Sequence, residues 1–386
     1  MRLRGRIAYK LLSVVIAIAI VLIIFVNSFS DKNIRDEFLT HLPDLKSNDA
    51  DQQERVQPEE INMQVLINLT SFHYTIGNKL CSNYDKEFLA AIIVTSYAGH
   101  DELRAAHRQA VTKSKLSELG FQRIFLLAEL PPTERFITQQ QINSEQEKFG
   151  DLLQGNFIES YRNLSYKHVM GLRWSALDCT KAKFIVKIDD DTVFDIFQLK
   201  NYLESLEVQG YMSYFLAGYV LDNKVPIRIT ANKWYVSPGD YVANVYPDYL
   251  SGWLYITNPS TALLLVRESQ RTPFFWIDDT WVTGILRDRV HVPLVRLNSW
   301  FSANSEFIDC CVRDLKDLNY ECEFYVGPNG GDSKLIVEFL HNVEKCYFDE
   351  CLKRSPEKSL RQTCVGSVKH LLPDHGEPFL HPVKLR

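Results

Sequence analysis

The chain has 386 residues, of which 46% are hydrophobic and 12% aromatic, enough to bury the core of one large domain or two fused domains. Its formal net charge is −5, and no block of Lys and Arg follows the first ten residues. The composition therefore lacks the basic surface typical of a nucleic-acid-binding protein, and no nucleic acid is expected as a partner.

The N-terminus begins with a basic segment, residues 1–10, and continues into an uncharged apolar run, residues 11–29. The run is at the short end of the ~17–25 residues that span a bilayer, which suits a thin membrane of the secretory pathway. With the basic flank on the cytoplasmic side, the pattern predicts a signal-anchor helix in type II orientation. A cleaved signal peptide is the alternative, but the run is long for one and no Ala-x-Ala site follows it.

The chain beyond the anchor carries features expected of a lumenal protein. Residues 30–84 are polar and poorly periodic, which predicts a stem and leaves 85–386 as the folded domain. Asn68 and Asn163 lie in N-glycosylation sequons. All eight cysteines follow the anchor, and an even number in an oxidising compartment predicts disulfides. A zinc site would need paired Cys-x-x-Cys spacings, which the sequence does not supply.

Strands and helices alternate in the folded domain. FLAAIIVTS (88–96) and QRIFLLAEL (122–130) predict two strands, and the segment 100–119 between them predicts a helix. Further helices are predicted at 133–149 and near 165–177, ahead of a strand that begins at KFIVKI. This alternation predicts an α/β domain with a mostly parallel sheet, whose ligands gather at the carboxyl ends of the strands.

The strand KFIVKI ends in three consecutive carboxylates, Asp189, Asp190 and Asp191. Like charges this close favour protonation of one another unless a cation or dense hydrogen bonding compensates them. A divalent ion that bridges the two phosphates of a sugar nucleotide would be such a cation, and oxygen ligands suit Mg²⁺ or Mn²⁺. The alternative is that the carboxylates only cap a turn or a helix.

The triplet stands within a long series of ordered motifs. FGDLLQGNFIESYRNLSYKHVMGLRWSALDCTKAKFIVKIDDDTVF (149–194) is preceded by VTS (94–96) and followed by KWYVS (233–237), YPDYLSG (246–252) and IDDTWVTG (277–284). Together they closely resemble glycosyltransferase family 31, the β-1,3-galactosyl- and β-1,3-N-acetylglucosaminyltransferases. The resemblance covers roughly residues 81–341, most of the predicted lumenal chain.

The resemblance implies a GT-A type nucleotide-sugar-binding α/β sandwich, preceded by the single transmembrane helix and the stem. It implies an inverting, metal-dependent enzyme that moves galactose or N-acetylglucosamine from a UDP-sugar to a hydroxyl of a glycan, on a glycoprotein or glycolipid, in β-1,3 linkage. Its expected location is the Golgi membrane, with the catalytic domain in the lumen, and a homo-oligomer is compatible with it.

Several residues take roles from the resemblance. Inverting displacement needs one base for the acceptor hydroxyl, and the family's acidic pair falls on Asp278 and Asp279, with Asp279 expected as the base. Acids that cap a helix N-terminus are the alternative. Asp191 is expected to bind Mn²⁺ or Mg²⁺ directly, with Asp189 and Asp190 supporting the ion or the ribose. His341 is expected as a distal metal ligand, although a lone histidine after an apolar run is more often a core residue.

Further residues are expected around the donor and the acceptor. Arg104, Arg108 and Lys187 are assigned to the nucleotide sugar, and surface ion pairs with Asp101 or Glu102 are the alternative for the two arginines. The acceptor or donor pocket is expected to include the following residues: Lys233, Trp234, Tyr235, Ser251, Gly252 and Trp253. Core packing is the alternative for the aromatic ones. Cys81 and Cys179 match family cysteines and are expected to pair.

One departure from the family affects the functional prediction. Where relatives have a Gly-rich SG.GY motif, this chain has Ser251-Gly252-Trp253-Leu254-Tyr255, so the pocket is reshaped around Trp253. The sugar specificity then differs, or the site is blocked. A blocked site would make the chain a catalytically silent member that acts as a lumenal binding or stabilising partner of another transferase. A Ca²⁺-binding adhesion module would need repeated acidic clusters, which the sequence lacks.

Overall fold

The computed structural model describes residues 61–83, 86–210 and 213–365. The predicted cytoplasmic tail (1–10), the predicted anchor (11–29) and the first part of the predicted stem lie outside the described residues. Within the described ranges, no helix is long and apolar enough to cross a membrane.

A mixed sheet forms the centre of the folded domain. The strands are β1 (Tyr74–Ile76), β2 (Phe88–Thr95), β3 (Phe121–Glu129), β4 (Leu152–Ile158), β5 (Ala182–Asp189), β6 (Thr192–Phe194), β7 (Leu216–Leu221), β8 (Tyr249–Thr257), β9 (Leu294–Arg296) and β10 (Val326–Pro328). Eight of them follow the order β1-β4-β3-β2-β5-β8-β7-β9, and β6 pairs separately with β10. Strands β4, β3, β2 and β5 are mutually parallel, whereas β8 is antiparallel to both its neighbours.

The parallel part of the sheet explains the position of the triplet. Strand β2 is buried at every residue because helices cover both faces of a parallel sheet, and its sequence is accordingly apolar throughout. Thr95 at the end of β2 pairs with Asp189 at the end of β5, and the amide of Asp190 donates to the carbonyl of Thr95 at 3.0 Å. The triplet therefore lies at the carboxyl edge of the sheet, as predicted.

The helices alternate with the strands. They are α1 (Asp101–Ala110), α2 (Lys113–Glu118), α3 (Gln139–Phe149), α4 (Leu164–Leu177), α5 (Ile196–Val208), α6 (Pro259–Ser269), α7 (Arg287–Arg289), α8 (Ser305–Leu318), α9 (Ser333–Phe348) and α10 (Leu360–Thr363). A π-helix, Thr280–Leu286, runs directly into α7. The alternation confirms the predicted α/β class with a mixed, mostly parallel sheet.

Two predicted helices differ from those observed. The helix predicted at 100–119 breaks after Ala110, because Val111 is extended and the Thr112 side chain accepts a hydrogen bond from the Lys115 amide to start α2. The helix predicted at 133–149 begins only at Gln139, since Thr138 and Gln141 form a reciprocal capping box.

The stem predicted at 30–84 ends earlier than expected. Leu66, Phe72 and Leu80 are buried in the core, and β1 pairs antiparallel with β4 at the edge of the sheet. Residues 61–83 therefore belong to the folded domain. The sequence did not reveal this because β1 has only three residues and pairs at the edge of the sheet. Its residues are therefore only partly buried, and no apolar run marks the strand.

All eight cysteines form disulfides, as the lumenal reading predicts. Cys81 pairs with Cys179, which confirms the predicted bridge. The remaining bridges are Cys310–Cys364, Cys311–Cys322 and Cys346–Cys351. Of the sequon residues, Asn68 is exposed, whereas Asn163 is half-buried and its side-chain amide donates to the carbonyl of Ile158 at 2.8 Å. Glycosylation of both stays a prediction.

Candidate active site

Asp190 is the buried member of the carboxylate triplet. Its Oδ2 atom accepts hydrogen bonds from Ser96 Oγ at 2.7 Å and from His100 Nδ1 at 2.9 Å. Burial alone would raise the pKa of Asp190, but the hydrogen bond and charge of His100, with Ser96, hold it below its ordinary value. Asp190 is thus fixed as an anion by the protein itself.

Asp189 and Asp191 lie closer to solvent than Asp190. Desolvation in the cleft raises the pKa of Asp189 to about 6, even though Lys187 donates to it at 2.7 Å. Desolvation and the charges of Asp189 and Asp190 raise the pKa of Asp191 to about 7. Lys187 balances part of this negative charge, and a divalent cation bound by Asp189 and Asp191 would supply more positive charge.

Lys187 connects the triplet to the acidic pair. Its ammonium group is buried, donates to Asp189 Oδ1 at 2.7 Å and to the carbonyl of Gly252 at 2.9 Å, and lies 3.8 Å from Asp279 Oδ1. Burial would lower the pKa of Lys187, but the charges of Asp189 and Asp279 raise it instead. The Lys187 ammonium therefore stays charged, and it links the carboxylate triplet to the acidic pair.

Asp279 sits against the backbone of β8. Its Oδ2 atom accepts a hydrogen bond from the Gly252 amide at 2.8 Å, and a Cβ atom on residue 252 would lie 2.6 Å from Asp279 Oδ1. Glycine is therefore required for this contact. Desolvation and then the charge of Asp278 raise the pKa of Asp279 well above its ordinary value, while its side chain is still 28% exposed. A reachable carboxylate of raised pKa is suited to general-base chemistry.

Asp278 has different partners. Its Oδ2 atom lies 2.9 Å from Nδ1 of His168, and Nε2 of His168 lies 2.6 Å from the Tyr255 hydroxyl. Burial would raise the pKa of Asp278, but the hydrogen bond from His168 lowers it. Their different environments thus shift the pKa values of Asp278 and Asp279 in opposite directions. Such a separation often accompanies different acid–base roles.

Sequence reasoning missed His168 and Tyr255. The available signal was a histidine on α4, a helix buried on nearly every side, because a buried polar side chain needs a partner. His168, Asp278 and Asp279 also place one ligand atom each within 4.8 Å of one another. An ion at Nδ1 of His168 would have to displace the bond to Asp278, so this group is explained by its hydrogen bonds.

The π-helix fixes the acidic pair to the sheet. It begins at Thr280, directly after Asp279, and Thr283 Oγ1 donates to the carbonyl of Asp279 at 2.7 Å. The same hydroxyl accepts from the Leu250 amide at 2.8 Å. Single π-turns of this kind often occur at functional sites, and here one joins the carboxylates to β8.

The two predicted nucleotide-binding arginines are engaged within the protein. Arg104 is fully buried and binds Glu145 through Nε at 2.8 Å and Nη2 at 2.7 Å, and Arg108 pairs with Glu145 and Asp151. Their acidic partners are therefore not Asp101 or Glu102, so that alternative was wrong. Arg104 also donates to Ser96 Oγ at 3.1 Å, which supports the Asp190 network from behind.

The position of His341 excludes one of the two readings of the sequence. It lies exposed on α9, so it is not a core residue. Within the described ranges, the structure groups no metal ligands around His341, Asp189 and Asp191, so a role of His341 in metal binding stays a prediction. The late segment that does adjoin the triplet is β10, followed by Asn329, whose amide donates to the carbonyl of Asp191 at 2.8 Å. The expectation for His341 came from the resemblance, because EFLHNV (338–343) best matches the family's late Val-His segment.

Aromatic side chains lie beside the acidic pair and form what we call the aromatic shelf: Tyr161, Trp234 and Trp276. Trp234 Nε1 donates to the Tyr161 hydroxyl at 2.7 Å, and the rings of Tyr161 and Trp276 are 6.0 Å apart. Trp276 precedes Asp278 by two residues in the chain, which places the aromatic shelf next to the acidic pair. Lys233 lies over the Tyr161 ring at 4.5 Å.

The other predicted pocket residues are less closely tied to the acidic pair. Tyr235 and Ser251 are half-buried. Trp253, also half-buried, packs edge-on against Tyr219 with a centroid distance of 6.2 Å. Trp253 therefore has an aromatic neighbour, and its effect on the donor or acceptor stays a prediction.

Comparison with known proteins agrees with this geometry. Residues 102–298, which include the triplet and the acidic pair, match the family model described as Galactosyltransferase. Human beta-1,3-galactosyltransferase 5 is 28% identical over 231 residues, covering 59% of this chain and 72% of the relative. Mouse beta-1,3-galactosyltransferase 1 is 30% identical over 221 residues, covering 57% of this chain and 66% of the relative.

Solved structures give weaker likenesses. The apo structure of the bifunctional glycosyltransferase WbbM is 10% identical, covers 68% of this chain and 50% of that chain, and has a TM-score of 0.33. The crystal structure of S. aureus TarS 1-349 is also 10% identical. The match covers 68% of this chain and 72% of that chain, with a TM-score of 0.28. Scores this low support no argument. The family match spans just over half of the sequence, and the chain therefore belongs to the galactosyltransferase family, glycosyltransferase family 31, and is a glycosyltransferase.

Proposed function

We propose that the protein transfers galactose from UDP-galactose to a glycan hydroxyl in β-1,3 linkage, with inversion at the anomeric carbon. N-acetylglucosamine is the alternative donor sugar. The observation that carries this proposal is Asp279, a reachable carboxylate of raised pKa that is held beside the carboxylate triplet by Gly252 and Lys187. The similarity to beta-1,3-galactosyltransferases supports the sugar and the linkage.

In this proposal Asp279 accepts the proton of the acceptor hydroxyl as that oxygen attacks the anomeric carbon. Asp278 stays ionised beside it, and Lys187 keeps the Asp279 carboxylate oriented toward the sheet edge. Asp191, assisted by Asp189, would hold Mn²⁺ or Mg²⁺, which neutralises the charge of the departing diphosphate when bound. Asp190, fixed by Ser96 and His100, would face the ribose or ion-bound water.

The aromatic shelf is proposed to receive the acceptor. Tyr161 is 43% exposed, and its ring lies 6.0 Å from that of Trp276, which precedes Asp278 by two residues. Sugar rings present C–H faces that pack on aromatic rings, and the hydroxyl to be glycosylated would then point toward Asp279. Lys233 and Trp234 complete this surface, which supports their predicted role.

The location is proposed from the sequence and the disulfides. A type II signal anchor with a lumenal domain explains four bridges in a chain of this size, because such bonds persist in oxidising compartments. The proposed site of action is the Golgi lumen, on glycoprotein or glycolipid acceptors.

A donor panel tests the function. The full chain, purified in detergent with Mn²⁺, is incubated with UDP-galactose, UDP-N-acetylglucosamine and UDP-glucose, each with acceptors that end in galactose, N-acetylglucosamine or N-acetylgalactosamine. Turnover is expected with UDP-galactose, with a β-1,3 product by NMR and loss of activity in EDTA. Absence of transfer across the panel, with UDP binding intact, would instead favour the catalytically silent alternative.

A further inference from the structure

We propose that His168 is a positioning residue for the transfer reaction: it holds Asp278 through Nδ1, is itself held by Tyr255 through Nε2, and so leaves Asp279 as the acting base. This inference rests on the proposed function above. It concerns a side chain on α4, 110 residues away from Asp278 in the sequence.

Asp278, His168 and Tyr255 form a linear hydrogen-bonded chain of three side chains. His168 is fully buried, with Nδ1 at 2.9 Å from Asp278 Oδ2 and Nε2 at 2.6 Å from Tyr255 Oη. The His168 and Tyr255 rings lie 5.6 Å apart and tilted by 31°. Tyr255 is also fully buried in β8, three residues after Gly252, whose amide holds Asp279. Both acids are therefore anchored to the same strand by separate contacts.

Burial favours one arrangement of protons along this chain. Burial raises the pKa of Tyr255, so its hydroxyl keeps its proton and donates to Nε2. Burial lowers the pKa of His168 by more than the hydrogen bond and charge of Asp278 raise it, and Lys187 lowers it further, so a neutral imidazole is favoured. With Nε2 as acceptor, the single imidazole proton lies on Nδ1 and is donated to Asp278.

As a consequence, the two neighbouring carboxylates have different roles: Asp278 is held by His168, and Asp279 is left to act as the base. Asp278 has a side chain that is 13% exposed and one oxygen committed to His168, whereas the Asp279 side chain is 28% exposed. Without the Nδ1 donor, Asp278 would no longer be held as an anion in a fixed orientation. Its charge also raises the pKa of Asp279, so the loss would disturb the base as well.

Matched variants separate positioning from packing. His168→Asn keeps an N–H donor near the Nδ1 position, His168→Phe keeps a ring but no donor, and Tyr255→Phe removes only the outer hydroxyl. Measured in the full chain, His168→Phe is expected to lower kcat about 10–100-fold with little change in KM for the UDP-sugar, the range typical of supporting residues. His168→Asn should recover most of the lost kcat, and Tyr255→Phe should lie between it and the parent. Melting temperatures are recorded for all three.

Equal losses of kcat in His168→Asn and His168→Phe, in step with equal falls in melting temperature, would overturn the proposal in favour of a packing role. A second readout does not depend on transfer: ¹⁵N NMR of histidine-labelled full chain should show His168 as the neutral Nδ1–H tautomer. An Nε2–H tautomer or an imidazolium would overturn it. A parent without transfer activity would defeat the proposed function, and the NMR result would still decide the role of His168.

Discussion

At the scale of single residues, the neighbouring acids Asp279 and Asp278 differ in their hydrogen-bond partners, their exposure and the direction of their pKa shifts. Asp279→Asn keeps the size of the side chain but removes the proton acceptor, so transfer should fall by the ~10²–10⁴-fold typical of a lost general base. Asp278→Asn should lower transfer less. Transfer rates and UDP-sugar affinities are measured for both variants beside the parent, and donor affinity should be retained. Comparable losses in the two variants would contradict the assignment of Asp279 as the base.

His107 gives a second prediction at this scale. It is fully buried, its Nε2 donates to the Asp190 carbonyl at 2.8 Å, and desolvation together with Arg123 lowers its pKa to about 4. The unfolded value is about 6.5, so the stability that neutral His107 contributes is present above that pH and is lost as the pH falls toward 4. The expected loss is about 3 kcal/mol.

Urea denaturation of the parent and His107→Gln at several pH values from 7 to 4 measures this contribution. Glutamine can donate to the same carbonyl but does not titrate, so its free energy of unfolding should decline less steeply on acidification. Other titrating groups, such as Asp195, affect both proteins alike and cancel in the difference. If the free energy of unfolding declines equally with pH in the parent and in His107→Gln, His107 is not held neutral.

At the scale of elements, the Cys81–Cys179 bridge ties the segment before β2 to the end of α4 across a sequence separation of 98. Cys346–Cys351 spans a separation of only 5 and serves as a matched control. In the chain-entropy treatment the longer loop stabilises more, so Cys81→Ser/Cys179→Ser should lose about 2–4 kcal/mol and Cys346→Ser/Cys351→Ser clearly less. Urea denaturation without reductant measures both, and the reverse order would contradict the expectation.

At the scale of the whole molecule, a ligand that binds only the folded state stabilises it by mass action. UDP with Mn²⁺ at 100 times its Kd should raise the free energy of unfolding by about 2.7 kcal/mol. Asp191 is exposed in the turn between β5 and β6, so Asp191→Ala should fold normally but lose the Mn²⁺-dependent part of this gain. Thermal unfolding with UDP, with and without Mn²⁺, provides the measurement. An unchanged Mn²⁺ effect in the variant would refute Asp191 as a ligand.

The whole-molecule comparison also shows which features a sequence can reveal. The strands β2, β3 and β5 were predictable because buried parallel strands are continuous apolar runs, and the position of the triplet followed from the edge where they end. The bonds from His168 to Asp278 and from Arg104 to Glu145 were not, because they join residues 110 and 41 positions apart through tertiary packing. Local pattern contains no information about such partners.

The adjacent cysteines Cys310 and Cys311 on α8 pose a sorting problem during synthesis. Cys311 pairs with Cys322 across a sequence separation of 11, and Cys310 pairs with Cys364 across a separation of 54, so Cys322 is synthesised well before Cys364. The adjacent thiols of Cys310 and Cys311 therefore compete for Cys322. If Cys310 pairs with Cys322 first, Cys364 can only form the non-native bridge to Cys311. Correction proceeds by thiolate attack on the misplaced bridge, over seconds to hours. Formation of the native pairs at Cys310 and Cys311 is therefore expected to depend on disulfide isomerisation.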